Sequence, residues 1–490
     1  MQVNILGKEG AGKFNQANIT REENKVIQAV FGSAPGDSLD SMVAAPDGSI
    51  LVAGTLARTA NLSIPTFPVE RASGTAIVAR ISPDLRTMQT LFRLPPEFLT
   101  ARSLAIASDG SVVVGGERDG GDLVVARLNR DLNALQWKKS VIGDRVVSVS
   151  VAPDDSVVVC PAEKPFVSRI KADGSGLIPF GSHETFRTDA GNPDIAKAWW
   201  EGCGYVAAGY KGGVNYHRGG SGGVQALKDG TFVLFTTNYL THPGGGPDFD
   251  PMLLKFDGEG RILWCTNLLA GLPAESDQKN ARLSVDPHTG DLLLAATQHG
   301  HFTHNLVSTS GAYLTPDNWF TGDIMIGWIA RVDPETGKPK AATFYFPEMP
   351  VPRVAGKLRA NSLFPQAPSA DAEGRIYVTG ATAPRLATTL HAFQAEALGG
   401  SGFVTVFDSS LSHLLYASLI TARGLDFKGT AIIGTPAGSA VLASFRQSQQ
   451  SSREFVGANA DATNYLHPAP TQSAGTIIGF YPSAPWKKEQ

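Results

Sequence analysis

Cysteine is scarce: Cys160, Cys203 and Cys265 are the whole complement of a 490-residue chain. Three cysteines cannot build a disulfide framework, and without a C-x-x-C there is nothing to seed a zinc knuckle or attach haem. Charge is sparse as well. Acidic and basic residues make up 18% of the chain and nearly cancel, 45 against 42, for a net of −3. Neither nucleic acid nor an anionic membrane surface is then an expected partner. No apolar run approaches the roughly 20 residues of a membrane helix, so no membrane insertion is expected. What the chain has in quantity is Gly (53) and Pro (31), with 42% hydrophobic residues. That composition predicts a substantial core, many turns and few long helices.

A short unit recurs along the chain: apolar residues, a tight polar turn, then a β-branched run. It reads AAPDGSILVAG from Ala44, IASDGSVVVGG from Ile106, VAPDDSVVVC from Val151 and ALKDGTFVLF from Ala226. It returns as VDPHTGDLLLAA from Val285, ADAEGRIYVTG from Ala370 and GTPAGSAVLAS from Gly434. Asp-Gly supplies the positive φ of a hairpin turn, and the flanking residues suit a half-buried pleat. A third apolar stretch follows each hairpin, such as AIVARISPD from Ala76 and WIARVDPETG from Trp328, and then a fourth, such as MQTLFRL from Met88. Seven units of four short strands with no intervening helix predict an all-β, seven-bladed β-propeller with four antiparallel strands per blade.

The last unit offers a third strand, TIIGFY from Thr476, but no fourth, while the chain begins with an orphan strand, KVIQAVF from Lys25. Pairing the two lets the N-terminal strand complete the last blade, closing the ring and removing an exposed sheet edge. The expected organisation is a leader at 1–24, the propeller at 25–482 and a tail at 483–490. Long loop insertions are expected at about 181–223, 237–250 and 298–323.

GDSLDSMVAAPDGSILVAGT from Gly36, STSGAY at Ser308 and TLHAFQAEALGGSGFVTVFDSSLSHLLYASLI from Thr389 resemble the SBBP-type bacterial β-propeller repeat. The resemblance is clearest in the first and sixth units. It implies a propeller of the kind found on exported bacterial proteins, and no defined activity or catalytic residues. The opening MQVNILGKEG lacks the charged start and apolar core of a signal peptide. Either a signal peptide has been trimmed from this sequence or the protein stays inside the cell; the first reading is preferred and gives an extracellular or periplasmic location.

Propeller ligand sites lie over the central channel, on the face carrying the loops between second and third strands and between blades. The long loops place His183, His217, His242, His299, His301 and His304, six of ten histidines, on one sector of that face. In extended chain, residues two apart point the same way, so His299 and His301 can share one divalent metal, zinc or similar. His304, His217 or His242, with Asp248 or Asp250, can complete the set. The alternative is that these histidines bond loop carbonyls and water. Tyr216, His217 and Arg218, with His242, offer a base, an acid and a carboxylate clamp, which suits elimination on a uronic-acid polymer. The alternative there is a Gly-flanked loop exposing polar residues. Trp199, Trp200, Tyr205 and Trp319 are either stacking platforms for sugar rings or the core of the insertion.

Other patterns carry nothing. Gly7 to Lys13 has P-loop spacing, but Phe14 stands where a Ser or Thr would bind magnesium. Gly219 to Gly223 fits G-x-S-x-G without the strand–turn–helix setting of a nucleophile elbow. No nucleotide or haem is expected. Two function classes remain open. The favoured one is an exported polysaccharide lyase or hydrolase with its site over blades three to five; the other is a non-catalytic glycan- or protein-binding propeller. A monomer is expected in both.

Overall fold

The computed structural model describes residues 25–31, 38–56, 75–83, 88–118, 122–141, 143, 145–162, 167–180, 220–241, 247–269, 278–300, 306–315, 319–320, 324–349, 358–389, 392–397, 400–421, 425–435, 438–447, 460–463 and 473–481. Among these, all regular structure is β-strand, and the sheets are arranged as a β-propeller. Blades 1 to 6 span 38–93, 100–141, 146–180, 220–266, 278–345 and 363–420, and each is crossed by a path of four antiparallel strands in chain order. In blade 6 the inner strand is split into Leu363–Pro365 and Ser369–Ala370. Among the described residues no helix is long and apolar enough to cross a membrane.

The expectation of seven blades of four antiparallel strands is corrected by this pairing: six blades have that form, not seven. The sheet that completes the ring has five strands and is drawn from both ends of the chain, in the order Leu425–Thr435, Gly438–Gln447, Ser473–Tyr481, Lys25–Phe31 and Ala460–Thr463. Lys25–Phe31 pairs antiparallel with the third of these, Lys25 opposite Tyr481 and Phe31 opposite Gly475. The fifth strand, Ala460–Thr463, then runs parallel to it, Val26 opposite Ala460. It covers backbone groups that an outermost strand would otherwise present to solvent.

The strand sequences follow from position in the blade. Second and third strands are covered on both faces by neighbouring blades, so they read as unbroken apolar runs; Leu123–Leu128 (LVVARL) is buried at every residue. The outer strand Leu135–Val141 (LQWKKSV) instead alternates between half-buried and exposed positions. Each fully buried Val or Leu contributes about 1.5–3 kcal/mol. Gly54, Gly116 and Gly380, which recur in the second strands, have a steric reason. A Cβ there would sit 2.1, 2.0 and 2.0 Å from the carbonyl oxygens of Ser38, Thr100 and Phe364 on the inner strands.

Polar side chains join the blades. In the tight turns Asp47, Asp109, Asp154 and Asp229 accept the amide N–H two residues on, at 2.9, 2.8, 3.1 and 3.0 Å. In these four blades a cation on the third strand binds that aspartate, as Arg80 to Asp47 at 3.2 Å, Arg127 to Asp109 at 3.1 Å and Lys255 to Asp229 at 3.2 Å. The same side chains continue into the next blade. Arg80, Arg127, Arg169 and Arg331 donate to the carbonyls of Arg130, Ala172, Gly258 and Gly374 at 2.8, 3.2, 2.6 and 2.8 Å. The repeated Asp-Gly turn and the repeated Val-Ala-Arg strand are therefore two halves of one inter-blade clamp.

The STSGAY and TLHAF segments share a further device. Thr309 Oγ1 accepts the Ala342 amide and donates to its carbonyl, at 3.0 and 3.3 Å. Thr389 Oγ1 does the same at Ala417, at 3.3 Å for both. Each threonine pins its loop to an outer strand, and Tyr313 is thereby buried between blades 5 and 6, edge-on to Tyr345 and Phe407.

Candidate functional site

The inner strands enter the ring from the face that also carries the blade-to-blade connections and the ends of the second strands. Near its start the inner strand of blades 1 to 5 and of the closing sheet holds an extra residue: the register shifts between Leu39 and Ser41, Ala101 and Ser103, Val146 and Ser148, Ser221 and Gly223, Lys279 and Arg282, and Gly429 and Ala431. Such bulges re-aim side chains. The serine after the bulge is turned sideways to tie the walls together. Ser41 accepts the Leu104 amide at 3.1 Å, Ser103 the Val149 amide at 3.0 Å and Ser148 the Val224 amide at 2.7 Å. Thr430 closes the circle by donating to the Leu39 carbonyl at 3.1 Å.

These walls enclose a cavity of about 800 Å3, the central channel. Its charged lining consists of Asp40, Arg102, Arg145, Arg282 and Lys428, one acid against four bases. Arg102 is satisfied within the protein, by Asp40 at 3.1 Å and Glu117 at 3.4 Å. Burial works against its charge, but the two carboxylates outweigh burial and hold its pKa above the ordinary value. Burial pushes the Asp40 carboxyl up, more than Arg102 and the Ser38 hydroxyl pull it down.

Among the described residues the other three cations form no ion pair with a carboxylate. Arg282 donates from Nε to Gln366 Oε1 at 3.1 Å and from Nη1 to the Ala281 carbonyl at 2.7 Å. Burial lowers its pKa, and the like charge of Arg145 lowers it further. Lys428 is also lowered, first by burial and then by Arg282, with Asp40 opposing. Among the described residues neither Arg145 nor Lys428 has an ion-pair partner. Among the described residues the channel lining thus carries more positive than negative charge.

The residues singled out from the sequence fall differently. Trp199, Trp200, Tyr205, Tyr216, His217, Arg218, His242, His301 and His304 lie outside the described residues. His299 ends the second strand of blade 5, opposite Met325. Asp248 and Asp250 lie in a ladder of blade 4 that continues from Phe232 to Thr241, opposite Leu240 and Asn238, and Asp250 is fully buried. Trp319 pairs in parallel with Leu358 in a separate two-stranded sheet. Among the described residues no three His, Cys, Asp or Glu side chains gather where they could hold a metal. The sequence reading passed over Arg145, Arg282 and Lys428. Their signal was available: each lies shortly before the bulge or just after it, a short step upstream of a tight turn.

A family model described as a domain of unknown function (DUF5122) beta-propeller matches residues 107–133, one hairpin and third strand of blade 2. That agrees with the propeller and leaves the SBBP-type resemblance without independent support. No curated protein matches the chain. Among solved structures, the chain is similar to the WD40 β-propeller domain of Doa1, at 10% identity over 93% of this chain and 96% of that one, with a TM-score of 0.44. It is similar to U3-55K at 8% identity over 93% and 98%, TM-score 0.43. It is also similar to the quinohemoprotein alcohol dehydrogenase from Comamonas testosteroni, at 12% over 97% and 78%, TM-score 0.40. At such identities and scores these likenesses say nothing of activity or ligand.

Proposed function

We propose that this protein is a recognition propeller that binds a glycan in the loop-face mouth of its central channel. The observation that carries the reading is the channel itself, about 800 Å3 in volume and lined from around the ring by hydrogen-bonding side chains, including Gln225, Asn280 and Gln366. Ligand sites are concave and few, and polar groups converging on one cavity fix a ligand's orientation. The lyase or hydrolase reading rests on Tyr216, His217, Arg218 and His242, and the divalent-metal reading on His299, His301 and His304 with Asp248 and Asp250. Of these positions only His299, Asp248 and Asp250 lie among the described residues, so the described geometry bears on recognition more than on catalysis.

An exported location is part of the proposal. Cys265, on the outer strand of blade 4, is disulfide-bonded, and the Cys160 side chain is fully buried. Disulfides persist in extracellular and periplasmic compartments. Peptide mapping without reductant should find Cys265 linked and Cys160 alkylated only after unfolding; Cys265 recovered as a thiol would remove this support.

The test of recognition is an array of neutral and acidic oligosaccharides probed with the wild type and with Gln225→Trp, which fills the channel from blade 4. Binding that disappears in the variant supports the channel as the site. Binding that survives in it puts the ligand elsewhere. Turnover of a bound oligosaccharide into shorter products would replace recognition with catalysis.

A further inference from the structure

We infer that the ligand of this channel is acidic: Arg145, Arg282 and Lys428 form a receptor for the carboxylate or sulfate groups of an anionic saccharide. The inference rests on the channel being a glycan site and specifies its chemistry. The three cations come from separate walls, Arg145 at the start of blade 3, Arg282 in blade 5 and Lys428 in the closing sheet, and all three line the same cavity. The other charged pair of the lining is already spent, Asp40 with Arg102 at 3.1 Å. Among the described residues no carboxylate forms an ion pair with any of the three; Asp40, whose charge also acts on Lys428, is already bonded to Arg102.

That arrangement costs the fold something. Like charges facing one another across a channel with low-dielectric walls repel, and the field they focus is positive. Arg282 is held in place by its bond to Gln366 at 3.1 Å, so it cannot swing away from Arg145. An anion relieves the repulsion and gains charge-assisted hydrogen bonds from two guanidinium groups whose planar forks match carboxylate and sulfate. A divalent cation is repelled by the same groups. A neutral sugar gains nothing from them. Three cations on three walls suit a chain carrying an acidic group on successive sugars.

The experiment is calorimetric titration of the full chain with three probes: a uronate oligosaccharide, a sulfated oligosaccharide and a neutral oligosaccharide of equal length. Each is run at low and high salt, with wild type, Arg145→Gln, Lys428→Met and, as a control, Lys228→Met, whose side chain lies near the turn of blade 4, bonded to the Pro287 carbonyl. The expected result is binding of one or both acidic probes, at least ~100-fold tighter than the neutral one and weakened by salt. Arg145→Gln and Lys428→Met should each lose about 10-fold, with no change in the control. The two acidic arms separate carboxylate from sulfate as the group recognised.

Thermal unfolding guards against misfolded variants. Relief of repulsion predicts that Arg145→Gln melts no lower than wild type while it binds less well, the signature of a site that trades stability for function. A lower melting temperature for Arg145→Gln would mean that Arg145 is a structural residue and would overturn the inference. Equal binding of neutral and acidic probes would overturn the acidic specificity and leave glycan recognition standing. If no oligosaccharide binds, glycan recognition itself falls, and the inference with it.

Discussion

Arg282 Nε donates to the Gln366 carboxamide oxygen at 3.1 Å, joining the inner strand of blade 5 to the break in the inner strand of blade 6. Blades 1 to 4 are tied at this level by serine hydroxyls to backbone amides. Here the tie uses a cation instead, so one side chain both joins two blades and lines the channel. Gln366 keeps its place beside the second strand, its amide donating to the Thr379 carbonyl at 2.8 Å, while its carboxamide reaches blade 5.

Gln366→Leu should therefore separate the two roles. The fold should lose one hydrogen bond to a charged group, about 1.5–3 kcal/mol, and Arg282 should lose the contact that fixes its direction. Affinity for an acidic oligosaccharide should fall roughly 5-fold, with Gln366→Glu falling further because its carboxylate neutralises the guanidinium. Titration calorimetry on both variants checks the order. Equal affinity in wild type and Gln366→Glu would show that Arg282 does not meet the ligand.

The inter-blade clamps should not contribute equally, although the sequence repeats them. Arg80 answers Asp47, whose side chain is 46% exposed, whereas Arg331 answers Asp286 at 0% and Asp291 at 7%. Removing Arg80 leaves a carboxylate that water can solvate, so Arg80→Ala should cost about 1 kcal/mol. Removing Arg331 strands Asp286 in the interior, and Arg331→Met should cost about 3–5 kcal/mol. Denaturant unfolding of the pair measures the difference directly.

The contrast shows what sequence makes legible. Turn positions, strand runs and the propeller were readable because each is local: Asp-Gly demands a turn, and LVVARL can only be a strand covered on both faces. The pairing of Lys25–Phe31 with the TIIGFY strand was readable too, but the fifth strand of the closing sheet was not. That strand, Ala460–Thr463, is ADAT, four residues with no apolar alternation, held by its parallel partner and not by its own pattern. The channel cations were missed for a related reason. Arg145 and Lys428 are single charges at strand beginnings, and only the bulged, ring-shaped arrangement of distant strands brings them together. Attention to histidine-rich loops selected residues by chemistry before geometry had placed them.

Acid should destabilise the protein through its turns. Asp109 has a pKa below the ordinary carboxylate value because the Ser111 hydroxyl and amide and the Arg127 guanidinium favour its charged form, against a smaller effect of burial. Asp47 is lowered by the same kinds of partner, Ser49 first and Arg80 after. A carboxyl whose folded pKa is depressed binds fewer protons folded than unfolded. Its stabilisation is complete above the unfolded value near 3.8 and is lost as pH falls through the folded value. Melting temperature should be flat above about pH 5 and fall steeply below about pH 4, and Asp109→Asn should shorten that fall while lowering the plateau slightly. An acid limb unchanged in Asp109→Asn would show that other carboxylates carry it.

Two glycine-to-alanine substitutions should fail for different reasons. At Gly230 a Cβ would meet nothing within 4 Å, but φ is +82°, so alanine there pays only for the left-handed backbone, about 1–2 kcal/mol. Gly116 sits in an ordinary strand conformation, yet its Cβ would lie 2.0 Å from the Thr100 carbonyl oxygen and 3.1 Å from the Phe98 ring. Backbone cannot rotate out of the way as a side chain can. Gly116→Ala must push the inner strand of blade 2 toward the channel, at a cost of about 3 kcal/mol. Because that strand carries Arg102 beside Asp40 at 3.1 Å, the displacement should also weaken ligand binding at the mouth. Gly230→Ala, in the turn at the far end of its blade, should leave binding unchanged. Loss of stability without loss of affinity in Gly116→Ala would mean that blade 2 can shift while the channel mouth keeps its shape.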